Sequence, residues 1–133
     1  MILDSSFLIA LGRHDQAAFE TGVSIAERGD IQWVPTPVIA ELEYGVEMVG
    51  DADERRRTRN VLRMYPHVEI NAEFARCAGQ LLAAADKDAG GPGNSGADDI
   101  DALIAGVATV LEDTVLTDNV ADFEALGVEI ETW

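Results

Sequence analysis

Met-Ile-Leu-Asp-Ser-Ser-Phe-Leu-Ile, residues 1–9, decides how the chain is read. An apolar run too short for a helix ends in Asp4, a serine pair follows, and a second apolar run begins at Phe7. This pattern describes a buried strand whose carboxyl tip carries an aspartate, with a helix starting at once. In open α/β sheets ligands bind just beyond the carboxyl ends of the strands. Asp4 therefore stands where chemistry is done, and the rest of the chain is read for what it brings to the same place.

Strands and helices alternate outward from this stretch. A helix is expected over Asp15 to Arg28, with Ala18, Phe19, Val23, Ile25 and Ala26 as its apolar positions, and a strand over Ile31 to Val34. Thr36-Pro37 reads as an N-cap followed by a first-turn proline, opening a helix that ends at Gly50 and carries Glu41 in its second turn. A charged helix over Asp53 to Met64 holds Arg55, Arg56, Arg57, Arg59 and Arg63. Short strands follow at Val68 to Ile70, Thr114 to Thr117 and Val128 to Glu131. Asn71 caps a helix with Phe74, Cys77, Ala78, Leu81 and Leu82 on one face, and Asp98 caps a helix running to Leu111. A last short helix is expected over Ala121 to Leu126. The glycine-rich run Ala89 to Gly96 is a loop, and it lacks the Lys-Ser/Thr ending of a phosphate-cradling P-loop. The alternation predicts a central, mostly parallel five-stranded sheet covered by helices on both faces, in one domain spanning 1–133.

Composition narrows the setting. Acidic residues number 25 against 9 basic, a net charge of −16, and Lys87 is the single lysine. Disorder is excluded because 47% of residues are apolar and fall in periodic blocks. The lysine-poor acidity resembles that of a halophilic archaeal protein, whose self-repulsion salt would screen, with a Debye length of about 3 Å at 1 M. By itself the acidity argues against a nucleic-acid partner, unless high salt or metal ions mediate the contact. One cysteine, Cys77, gives neither an intramolecular disulfide nor a metal pattern. No apolar run reaches the roughly 20 residues of a membrane span, and Met1 leads directly into the first strand, so the chain reads as cytoplasmic and not membrane-bound.

The acidic residues with positional meaning are Asp4 after strand one, Glu41 after strand two, Asp101 early in the helix after the glycine-rich loop, and Asp118 and Asp122 after strand four. In a parallel sheet all of these lie near the carboxyl edge. Carboxylates converging there either protonate or share a cation. An oxygen-only donor set suits Mg²⁺, with Mn²⁺ as a substitute, and such an ion activates water and polarises phosphate. Against this, a chain with 25 acidic residues places some at strand ends by chance, as caps or solvated groups.

Four segments carry a resemblance. Ile-Leu-Asp-Ser-Ser-Phe-Leu-Ile at the start, Thr-Pro-Val-Ile-Ala-Glu-Leu-Glu-Tyr-Gly-Val around Glu41, Asp-Ala-Leu-Ile-Ala-Gly-Val-Ala from Asp101 and Leu-Thr-Asp-Asn-Val-Ala-Asp-Phe from Leu116 resemble, in order, the PIN-domain family of nucleases. Within it the sequence looks like a VapC-type toxin. The resemblance implies a three-layer α/β/α fold and a Mg²⁺-dependent endoribonuclease of a type II toxin–antitoxin system. It also implies an RNA substrate, a cognate antitoxin and a homodimer. The family's first three acidic positions fall on Asp4, Glu41 and Asp101, as metal ligands. Many members place the fourth where this chain has Asn119, so Asp118, Asn119 and Asp122 compete for it. Ser6 and Thr117 are candidates to position a water or phosphate behind the carboxylates. Two other readings remain: a housekeeping nuclease of the same fold without an antitoxin, and a non-enzymatic receiver-like module. The receiver would want an acceptor aspartate where Asn71 stands and a lysine near the end.

Overall fold

The computed structural model describes residues 1–133. In chain order the elements are β1 (Ile2–Leu3), α1 (Ser5–Gly12), α2 (Gln16–Glu27), β2 (Val34–Pro35), α3 (Thr36–Val49), α4 (Ala52–Leu62), β3 (His67–Val68), α5 (Ala72–Asp88), α6 (Asp99–Leu111), β4 (Val115–Leu116), α7 (Val120–Ala125) and β5 (Ile130–Glu131).

Every strand pairing is parallel. β4 lies between β1 and β5, and β2 pairs with β3. A single bridge between Ile2 and Trp33 joins the two groups. There the Leu3 N–H donates to the Trp33 carbonyl at 2.8 Å and the Trp33 N–H to the Met1 carbonyl at 2.9 Å. The spatial order is thus β3-β2-β1-β4-β5. The regular ladder is shorter than expected, with three strands in one unit and two in the other. Proline explains part of this: Pro35 ends β2 and Pro66 precedes β3, and neither has an N–H to extend a ladder. β3 accordingly falls on His67–Val68 rather than on Val68 to Ile70.

Helices flank the sheet in two groups, giving three layers. α1 packs against α2, α3 and α4, while α5 pairs closely with α6. That last closeness depends on Gly106, where a Cβ would stand 2.7 Å from the Phe74 carbonyl oxygen and 2.9 Å from the Ala78 nitrogen. One apolar core of 24 buried residues runs through both groups, including Ile2, Leu3, Phe7, Ile104, Val115, Leu116 and Phe123. Trp133 packs edge-on against Phe7 with ring centroids 5.3 Å apart, a packing role rather than a stacking platform. Phe19 and Val23, expected on the buried face of α2, are instead exposed, and Ala18 and Ile25 make that face. No helix is long and apolar enough to cross a membrane.

Three local features set up the site. The strand order reverses direction between β1 and β4, the place where open α/β sheets put a ligand site, beyond the strands' carboxyl ends. α3 starts one residue earlier than Thr36-Pro37 suggests: Pro35 is its N-cap, with no side-chain cap bond, and Thr36 is already helical. α6 opens with a capping box, in which Asp98 accepts from the N–H groups of Ile100 and Asp101 while Asp101 accepts from the Asp98 N–H.

Candidate active site

Asp4 sits at the tip of β1 with 5% of its surface exposed. A buried carboxylate is costly unless hydrogen-bonded, and this one has three donors. Its Oδ1 accepts from the Ser5 N–H at 2.7 Å. Its Oδ2 accepts from the Ser6 hydroxyl at 2.8 Å and from the Thr117 hydroxyl at 2.7 Å. Asp4 is therefore the N-cap of α1. A carboxylate offers about four lone-pair positions, so roughly one remains for a ligand.

Thr117, fully buried at the tip of β4, links the neighbouring strand to Asp4 and accepts from the Asn119 N–H at 2.9 Å. The Asp118 N–H donates to Ser6 Oγ at 3.3 Å. The turn after β4 is thus tied to the turn after β1 through two hydroxyls.

Glu41 and Asp101 face the same region from α3 and α6. Removal from water pushes the Glu41 carboxyl above the ordinary glutamate range, a hydrogen bond from the Ser5 side chain opposes this, and the charges of Asp4 and Asp98 raise it further. The Glu41 residue as a whole is nonetheless exposed. Asp101, half-buried, is pushed up to about 6, first by desolvation. The Asp98 backbone N–H pulls it down, and the charges of Asp98, Asp122 and Asp4 push it up. Its Oδ2 takes that N–H at 3.0 Å, which leaves Oδ1 without a protein partner. These mutual effects show that Asp4, Glu41, Asp98, Asp101 and Asp122 occupy one electrostatic neighbourhood.

The three residues competing for the fourth position separate. Asp122, half-buried on α7, acts on Asp101 through its charge, and its Oδ1 lies 3.1 Å from where a Cβ on Gly96 would stand. Asp118 is exposed, and it meets the site through its backbone N–H. Asn119 is the N-cap of α7 without a side-chain cap bond, and it too enters through its backbone. One participant escaped the sequence reading: Gly96 lets the glycine-rich loop lie against Asp122. Ser5 donates its N–H to Asp4 and its side chain lowers the Glu41 carboxyl, and Asp98 adds its field to its capping role. The sequence signal for Gly96 was the loop itself; its φ of +92° is a conformation that side chains other than glycine's rarely adopt.

The donor set is all carboxylate, with hydroxyls behind it and neither histidine nor cysteine. That chemistry fits a hard divalent cation, and the raised Asp101 and Glu41 carboxyls are what an unneutralised cluster shows. No three of these side chains are drawn up as a ready-made metal cage. Fit therefore rests on donor type and charge, with the exposed Glu41 side chain the one free to close in.

A group of carboxylates near the reversal point of a parallel sheet marks this as an α/β domain with its candidate site at the strands' carboxyl ends. The chain belongs to the PIN domain family, which matches it over residues 1–128. No curated protein sequence matches it. Among solved structures it is similar to the Rickettsia felis VapBC2 complex bound to a promoter DNA fragment, at 20% identity and a TM-score of 0.78, covering 99% of this chain and 97% of that one. A DNA-bound VapBC complex from Salmonella typhimurium matches at 23% identity and a TM-score of 0.77, covering 99% and 96%. Mycobacterium tuberculosis VapC20, described as a sarcin-ricin loop cleaving toxin, matches at 18% identity and a TM-score of 0.65, covering 96% and 95%. Such distant likenesses support the three-layer fold.

Proposed function

We propose that this PIN domain is a divalent-cation-dependent endoribonuclease and the toxin of a toxin–antitoxin pair. The observation that carries the reading is Asp4, buried, triply hydrogen-bonded and facing Asp101, whose carboxyl is pushed up to about 6. Asp4, Glu41 and Asp101 would hold Mg²⁺ or Mn²⁺. When bound, the ion supplies Lewis acidity toward a phosphate oxygen and lowers the pKa of a water molecule.

The chain's own residues divide the remaining work. Ser5, Ser6 and Thr117 hold the Asp4 carboxyl fixed in orientation, which spares reorganisation during reaction. Asp101 keeps Oδ2 on the Asp98 N–H, which leaves Oδ1 free to face the cation. Asp122 maintains negative charge beside Asp101 and is the fourth acidic group of the site, in preference to Asp118.

RNA as substrate is supported by the resemblance of the whole chain to a toxin described as cleaving the sarcin-ricin loop. An antitoxin partner is supported by similar chains that were solved in VapBC complexes. Homodimerisation is supported by Tyr44 and Met48, four apart on α3 and each 69% exposed, which offer a second copy an apolar row.

The test is cleavage of labelled RNA by the purified protein. Products are expected with Mg²⁺ or Mn²⁺, and none with a chelator or with Asp4→Asn. Undiminished cleavage in either of those arms contradicts the mechanism.

A further inference from the structure

Five of the nine basic residues of this chain lie within nine positions of α4 and the residue after it: Arg55, Arg56, Arg57, Arg59 and Arg63. Three have carboxylate neighbours. Arg55 reaches Glu47 at 2.9 Å, Arg56 reaches Asp53 at 2.6 Å, and Arg57 lies 3.5 Å from Glu54. Arg57 is turned toward α1, where its Cβ approaches Gly12. Arg59 and Arg63 are exposed and have no carboxylate within ion-pairing distance, in a chain that carries 25 acidic residues.

Their spacing sharpens the point. Arg55, Arg59 and Arg63 recur every four residues, so they form one stripe along the helix, and like charges at that spacing repel. With Arg56 and Asn60 they line an open groove of about 380 Å³. Asp53 and Glu54 offset charge in the first turn of α4 and Glu47 reaches Arg55, but no carboxylate pairs with Arg59 or Arg63 further along. A planar guanidinium gives paired donors matched to phosphate oxygens.

We infer that the α4 stripe of Arg55, Arg59 and Arg63 is a docking rail for the phosphodiester backbone of single-stranded nucleic acid. The inference rests on the ribonuclease reading for its choice of polyanion. A group of mutually repelling carboxylates on a chain of net charge −16 repels RNA, and a basic stripe on the same small domain supplies the attraction that holds it. Contacts of this kind carry no base information, so the stripe adds affinity and not sequence preference.

Fluorescence anisotropy of a labelled oligouridine, titrated with the full-length protein in chelator across a series of KCl concentrations, tests this without requiring cleavage. The double variant R59Q/R63Q is expected to weaken binding roughly tenfold and to flatten the salt slope by about 1.4, at about 0.7 per single-strand phosphate contact. R59K/R63K, which keeps both charges, should retain the slope, and K87Q should bind as the wild type does. Absence of wild-type binding, an unchanged slope in R59Q/R63Q, or equally effective competition by polyglutamate overturns the inference. Failure of the ribonuclease reading looks different: oligouridine still binds through the stripe, and no cleavage follows when Mg²⁺ is restored.

Discussion

The Thr117 hydroxyl donates to Asp4 Oδ2 across 2.7 Å, fastening the tip of β4 to the tip of β1 over a separation of 113 residues. Both groups are buried, so the bond acts in a low-dielectric setting and unites the two strands at which the sheet order reverses. Thr117→Val keeps the shape and removes the hydroxyl, taking one donor from Asp4 and the acceptor of the Asn119 N–H. A loss of about 2 kcal/mol of stability is expected, as for a hydrogen bond to a buried charge. Thr117→Ser should stay close to the wild type. Chemical denaturation of the three proteins checks both.

The raised carboxyl of Asp101 makes stability pH-dependent in the metal-free protein. Its folded value of about 6 exceeds the ordinary 3.8, so between these values the folded state holds more protons than the unfolded one. Its favourable contribution is full below about 3.8 and is lost as pH rises through about 6. Glu41 is shifted in the same direction and adds to the trend. Asp101→Asn removes the neutral-pH penalty while still offering an acceptor to Asp98. At pH 7 without metal it should be more stable than the wild type by about 1 kcal/mol after solvent screening, with the difference gone in mild acid. Denaturation at the two pH values reads this directly.

Asp118 and Asp122 are expected to separate in activity. Asp122 bears on Asp101 through its charge, whereas the Asp118 side chain has no bond within the site and only its N–H reaches Ser6. Asp122→Asn should lower RNA cleavage by at least tenfold, and Asp118→Asn should leave it within about twofold, an exposed single charge being worth little. Steady-state cleavage assays of the two variants decide between them.

Glycine positions offer a contrast within the fold. At Gly106 an alanine methyl would meet the backbone of α5 at 2.7 and 2.9 Å, and backbone cannot rotate aside. Gly106→Ala should cost about 2–3 kcal/mol by forcing α5 and α6 apart. At Gly45 an added Cβ meets nothing within 4 Å. Gly45→Ala should stabilise by about 0.5–1 kcal/mol through helix propensity. Thermal melts of both variants distinguish a packing glycine from a dispensable one.

The alternation of strands and helices was readable because apolar runs and turn residues are local signals, and the parallel sheet followed from them. Strand bounds were less readable, because Pro35 and Pro66 shorten ladders whose partners lie far away in sequence. Asp4 was conspicuous as a carboxylate at the end of an apolar run. The contact between Gly96 and Asp122, and the effect of the Ser5 side chain on the Glu41 carboxyl, join residues 26 and 36 positions apart (122 − 96 and 41 − 5), and no local pattern encodes them. Asp98 was read as a cap, which it is, yet its charge also raises two neighbouring acids. One side chain serving both folding and the site is invisible to a reading that gives each residue a single role.

Calorimetric titration of Mn²⁺ into the metal-free protein at pH 6 tests most directly whether Asp4, Glu41 and Asp101 share a cation. Saturable binding with proton release is expected for the wild type, since the ion displaces a proton from a carboxyl poised near that pH. Asp4→Asn should abolish the binding, and Asp101→Asn should weaken it and remove the proton release. The same affinity and proton release in the wild type and Asp4→Asn, or no saturable binding by the wild type, would contradict the shared-cation site.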